Sequence, residues 1–179
     1  MPRLPEQLHQ IHTGCAEEWR RMSPEKVRHF KALYTLWSAA DALDFCIFAI
    51  APTRILSMPR MAALLQAVTG WETSSYEIMR YGERRMHLMR WYNLREGLSR
   101  ADDVLPDRFY DQAIAGGPQS GAVLDRGKFE ESVSSFYTMM GWDEAGVPLS
   151  ATLYASGLEW VLGEGKTGGS GPGDNNEQR

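Results

Sequence analysis

Between Ser23 and Pro52, apolar residues recur at helical spacing: Val27, Phe30, Leu33, Tyr34, Trp37, Ala40 and Ala42. Ser23-Pro24-Glu25 supplies a helix start, with a serine at the cap and a proline at the first helical position. The pattern predicts one helix running through "EKVRHFKALYTLWSAADALDFCIF" and ending before Pro52, whose ring is incompatible with a continuing helix. Apolar density rises toward Cys46, so the C-terminal half of that helix is expected to be buried on all sides. A second helix is predicted over about residues 59–68, with Ser57 as its cap and Gly70 past its end. Ser74 and Glu77 have capping-box spacing ahead of a long helix, "YEIMRYGERRMHLMRWYNLRE", which Gly97 closes. Gly82 in its middle costs up to ~1 kcal/mol relative to alanine, which implies the close approach of another backbone. Asp125 caps "RGKFEESVSSFYTMM", which stops at Gly141, and a short helix follows Ser150 and ends at Gly157.

Residues 98–124 carry no sustained period, and Gly116-Gly117-Pro118 within them is turn chemistry. A loop of this length inside a compact domain is usually functional or bound to a partner. No stretch alternates with period two for long enough to propose a sheet, and no internal repeat is visible. The expected fold is therefore all-α: an irregular multi-helical domain over residues 23–162 with a long ordered loop. Residues 1–22 form an N-terminal segment of ambiguous structure. Residues 163–179, "GEGKTGGSGPGDNNEQR", have the composition of a disordered tail.

A chain of 179 residues suits one domain with a sizeable core. The net charge of -4 argues against a nucleic-acid partner. Arg80, Arg84, Arg85 and Arg90 interleave with Glu77, Glu83 and Glu96, which reads as a solvated helix face laced with ion pairs. The six tryptophans and nine methionines predict a core or interface built from large, adaptable side chains. With Cys15 and Cys46 as the only cysteines, no disulfide framework is expected. "MPRLPEQLHQIHTG" lacks the apolar region of a secretion signal. The run from Ala42 to Ala51 is interrupted by Asp44 and too short to span a bilayer. These features predict a cytoplasmic protein with no membrane partner.

Most candidate chemistry dissolves on inspection. Gly165-Lys166-Thr167 resembles the end of a phosphate-binding loop, but Trp160 stands where the pattern needs glycine. His9, His12 and Cys15 lack a fourth ligand nearby, so a solvated segment is the expectation. His29 and His87 are expected on helix surfaces among charged neighbours, and no G-x-S-x-G elbow accompanies them. Asp102-Asp103 reads as a solvated, charge-rich loop. Cys46 is the strongest chemical candidate and leaves two readings open. A thiol in an apolar helix is most often simply buried. As a thiolate it would be a good iron ligand, but one cysteine cannot hold a cluster.

Residues 81–109, "YGERRMHLMRWYNLREGLSRADDVLPDRF", resemble the C-terminal region of the aldehyde ferredoxin oxidoreductase family of tungsten-pterin enzymes. The similarity lies in Gly82-Glu83-Arg84, in N-x-R-E-G at 93–97, and in R-x-D-D-x-L-P-x-R-F at 100–109. "TGWE" precedes these motifs, and "YTMMGWDEAGVP" and "LYASGLE" follow in the family's order, so the resemblance covers roughly residues 23–161. It extends to "DALDFC", residues 41–46, which is similar to the family motif D-x-x-G-L-C.

The resemblance implies that Cys46 is one ligand of a [4Fe–4S] cluster and that Asp41 contacts a tungsten (or molybdenum) bis-pterin. It implies oxidation of an aldehyde to a carboxylate, with electrons passed to ferredoxin; some relatives reduce benzoyl-CoA instead. Asp44 and Phe45 depart from the motif's glycine and leucine. Glycine lets a backbone approach a cofactor closely, so Asp44 weighs on the pterin contact. The family's other three cluster cysteines and its pterin-binding domain lie N-terminal to the similar region. The expectation is thus a fragment, split subunit or remnant, inactive alone, whose partner is a pterin- and cluster-binding domain or subunit. A non-catalytic helical scaffold derived from the family is the alternative.

Overall fold

The computed structural model describes residues 22–50, 56–117 and 120–164. Eight α-helices follow one another in these segments: α1 (Pro24–Ala42), α2 (Ile47–Ile50), α3 (Met58–Thr69), α4 (Ser75–Arg95), α5 (Arg108–Asp111), α6 (Arg126–Met140), α7 (Ser150–Ala155) and α8 (Val161–Glu164). A 3-10 turn, Arg100–Asp102, opens the long loop. A single antiparallel bridge, Trp142 with Pro148, is the only β pairing among the described residues. The architecture is all-α, as the missing period-two pattern predicts.

The helix ends follow local chemistry. Ser23 accepts from the Lys26 N–H at the start of α1. At α4 the Ser74 hydroxyl accepts from the Glu77 N–H, and the Glu77 carboxylate accepts from the Ser74 N–H at 2.7 Å. Asp125 accepts from the Lys128 N–H at 3.0 Å at the start of α6. Gly70 and Gly141, both left-handed, terminate α3 and α6.

The central contact is α1 against α4. Its closest point is Gly82, where an added Cβ would stand 2.1 Å from the Thr35 carbonyl oxygen. The Ser38 hydroxyl donates to the Gly82 carbonyl at 3.0 Å. The mid-helix glycine is thus explained by the backbone approach its sequence position implies. The α1 face at this contact is Thr35, Ser38, Ala39 and Ala40, all buried. Most of the large apolar residues of the predicted α1 stripe lie elsewhere: Phe30, Tyr34 and Trp37 are exposed, and Phe30 stacks on Tyr34 and meets Phe136 of α6. Small side chains won this face because only they permit a 2-helix contact this close. One core cluster joins Ala39, Ala40, Ile50, Met61, Ala62 and Ile78, so α1 to α4 share it. A second, around Leu153, Leu158 and Val161, seats α7 and α8 against Leu88 and Trp91.

The long first helix predicted through Phe48 does not form. It ends at Ala42, and α2 begins only at Ile47. The break is a left-handed C-cap: Asp44 has φ 56°, the Asp44 N–H reaches the Asp41 carbonyl, and the Phe45 N–H donates to the Ala40 carbonyl at 2.9 Å. Phe45 then folds back onto the core cluster. The described residues within 98–124 are held by backbone bonds inside this segment, among them the Ile114 N–H to the Ala122 carbonyl and the Leu124 N–H to the Phe109 carbonyl. The tail proposed for 163–179 lies almost wholly outside the described residues, as do residues 1–21 with His9, His12 and Cys15, and Gly165-Lys166-Thr167.

Candidate functional site

The residues singled out around "DALDFC" come together at the C-terminal end of α1. Asp41 lies in its last turn, where the helix dipole is negative and no basic residue of α1 offsets it. A carboxylate there is set against the local field. Its offset comes across the helix interface: Arg85 of α4 places Nη1 3.5 Å from Asp41 Oδ2. The same Nη1 contacts the buried Ser38 hydroxyl at 3.4 Å. Asp41 itself is exposed.

Cys46 follows the left-handed turn, at the head of α2. It is a free thiol and it is exposed, which removes the reading of a simply buried cysteine and the expectation that this half of the segment is buried all round. Asp44 accounts for both. Without the turn at Asp44 the chain would continue as helix and carry Cys46 along α1; with it, Asp41 and Cys46 are displayed on either side of one tight reversal. Glycine is the usual residue at this cap position, and aspartate is among the few others that tolerate it. The family motif's glycine falls on Asp44, so the departure in residue type keeps the backbone shape that a glycine there would serve.

The donor set fits one share of a larger centre. One thiolate is a quarter of a four-cysteine cluster, and an exposed carboxylate can accept from the N–H groups of a pterin. Among the described residues no three His, Cys, Asp or Glu side chains gather into a metal-binding group. The remaining ligands of any cluster at Cys46 would have to come from outside the described residues. Large apolar side chains at and after α3 are also exposed: Leu64 is 46% exposed, Val68 83% and Trp71 62%. Such residues are ordinarily covered when they are this large and this numerous.

Two other expectations change. His87 is not a surface residue: it is 4% exposed, and its Nδ1 accepts from the Trp142 Nε1–H at 2.9 Å. Burial lowers its pKa to about 4, so the ring is neutral at physiological pH. Arg90 is not part of a solvated face either. Buried at 8% exposure, it pairs with Asp103 at 2.8 Å and donates to the Gly146 carbonyl at 2.8 Å and to the Tyr137 hydroxyl. Tyr137 donates to Asp103, and burial together with that bond pushes its pKa up to about 12. Asp103 thus anchors the long loop to α4 and α6, while Asp102 caps the 3-10 turn by accepting from the Ser99 N–H at 2.7 Å. Sequence reading missed this hub because a buried arginine is rare and its partners lie 13 to 56 residues away. The open depressions at this end, lined by residues such as Arg100, Tyr137 and Trp142, include neither Asp41 nor Cys46.

Comparison with known proteins decides what this helical unit is. Residues 4–158 match the family model described as aldehyde ferredoxin oxidoreductase, domains 2 and 3. The chain belongs to the aldehyde ferredoxin oxidoreductase family. Tungsten-containing aldehyde ferredoxin oxidoreductase of Pyrococcus horikoshii is 32% identical over 139 residues, covering 77% of this chain and 22% of the relative. The enzyme of the same name from Thermococcus kodakarensis is 32% identical over 126 residues, covering 70% and 20%. The chain therefore spans about a fifth of the length of these relatives. The active-site complex BamBC of benzoyl coenzyme A reductase, solved with 1,5-dienoyl-CoA, superimposes with a TM-score of 0.61 over 80% of this chain and 21% of that one. At 20% identity that likeness speaks for the fold alone. No helix among the described residues is long and apolar enough to cross a membrane.

Proposed function

We propose that this chain is the cofactor-capping helical part of a tungsten-pterin oxidoreductase of the aldehyde ferredoxin oxidoreductase type. In this reading Cys46 supplies one thiolate to a [4Fe–4S] cluster and Asp41 accepts hydrogen bonds from a pterin. The observation that carries it is the left-handed turn at Asp44, which exposes the thiol and the carboxylate together at the end of α1. The three other cluster ligands and most of the pterin pocket belong to a partner domain or subunit. The tungsten centre, when bound, would supply the redox chemistry, oxidising an aldehyde to a carboxylate. This chain's own residues orient and enclose: Asp41 fixes one pterin edge, Cys46 holds one iron, and the exposed apolar side chains of α3 exclude water under the partner. Electrons would leave through the cluster toward ferredoxin, and the compartment would be the cytoplasm.

The scaffold reading, in which the cofactor has been lost, draws its support from an acid in the glycine position. Asp44 keeps the glycine-like conformation, which favours the cofactor reading over it. The test is to tag the chain in its own cells, isolate it without oxygen, and measure tungsten, molybdenum and iron in what co-purifies. The proposal expects tungsten or molybdenum, together with iron, at fixed ratio to the chain. A metal-free assembly at full yield overturns it.

A further inference from the structure

We infer that Arg85 is a second reader of the pterin, a specificity residue that recognises the heterocycle's carbonyl beside the edge held by Asp41. This rests on the proposed role of Asp41 and adds a residue to it.

The argument begins with the geometry of the pair. Arg85 and Asp41 face each other across the α1–α4 interface, with side chains 34% and 55% exposed. At 3.5 Å their contact is long for a charge-assisted hydrogen bond, which is normally about 2.7–2.9 Å. Both of Arg85's contacts, to Asp41 and to the Ser38 hydroxyl, use Nη1. Among the described residues, Nε and Nη2 have no partner, and neither does Asp41 Oδ1. Ser38 is buried and is itself tied to the Gly82 carbonyl, so one terminal nitrogen of the guanidinium is held while Nε and Nη2 are open.

The open groups form a definite pattern: carboxylate acceptors next to guanidinium donors. The pyrimidinone edge of a pterin presents an amino N–H, a ring N–H and then a carbonyl oxygen, side by side. A carboxylate accepts from the two N–H groups, and a planar guanidinium donates to the neighbouring oxygen. Asp41 and Arg85 together match that edge in order. In 2,4-diaminopteridine the ring nitrogen beside the 4-amino group carries no hydrogen, so the carboxylate already favours the 4-oxo compound. A fixed donor adds to that preference, because an amino group there meets it donor to donor.

The experiment uses the chain assembled with its pterin-binding partner and freed of cofactor, with two free ligands at neutral pH: 2-amino-4-oxopteridine and 2,4-diaminopteridine, each titrated by its own fluorescence. The wild type is expected to prefer the 4-oxo compound, and Arg85→Met to lose about tenfold in affinity for it together with an equal part of the preference, the rest being held by Asp41. Arg85→Lys, which keeps charge without the fork, is expected to recover part of the affinity. Circular dichroism of each variant separates this from loss of fold. Equal wild-type affinity for the two pteridines, no saturable binding, or an Arg85→Met profile like wild type overturns the inference. If Asp41→Asn abolishes binding while Arg85→Met leaves it unchanged, Arg85 alone is excluded. If neither substitution matters, the pterin role of Asp41 falls with it.

Discussion

At the scale of single residues, the side chains that decide this fold are polar ones in apolar places. His87 is held neutral by burial, with Trp142 donating to it. Its folded pKa, about 4, lies below its ordinary value of 6.5. Between those two values the unfolded chain binds the extra proton, so stability is complete above pH 6.5 and falls as pH descends to 4. We expect on the order of 2 kcal/mol to be lost across that window, read from urea unfolding at successive pH values. His87→Gln keeps an acceptor for Trp142 and removes the titration, so its profile should be flatter over the same range. Asp44, which is exposed, decides the fold through its backbone instead. Its left-handed φ carries a penalty of about 1–2 kcal/mol for a residue with a Cβ. Asp44→Gly should therefore raise the unfolding free energy by up to about 1 kcal/mol, and Asp44→Val should lower it, with the turn and the exposure of Cys46 to thiol reagents kept in the glycine variant.

At the scale of elements, caps and glycines were the most legible features. Ser74 with Glu77, Asp125, Gly70 and Gly141 each mark a helix end in the sequence and in the structure, because their chemistry is local. Gly82 was readable as a close approach for the same reason: nothing else justifies glycine inside a long helix. Gly82→Ala should lower stability by about 2–4 kcal/mol in denaturant unfolding, since the new Cβ collides with backbone and helix propensity recovers only about 1 kcal/mol. What failed was the extent of α1. Its helical period runs on through "DALDFC", and period alone does not register that Asp44 can take a glycine conformation. The Arg90–Asp103–Tyr137 hub failed for another reason: its parts are far apart in sequence, and each alone reads as a surface residue.

At the scale of the whole molecule, this is a helical unit of the aldehyde ferredoxin oxidoreductase family spanning about a fifth of its relatives' length. It has its own cores, yet it leaves Val68, Trp71 and the thiol of Cys46 exposed. Those features agree with a cap over a centre completed by another domain or subunit. The central claim is that Cys46 ligates iron there. The most direct measurement is electron paramagnetic resonance of the anaerobically isolated assembly, reduced and oxidised, with wild type and Cys46→Ala compared at equal yield. The account predicts a reduced [4Fe–4S] signal in the wild type, and in the variant its loss or replacement by an oxidised three-iron signal with less bound iron. A [4Fe–4S] spectrum and iron content unchanged by Cys46→Ala would contradict it.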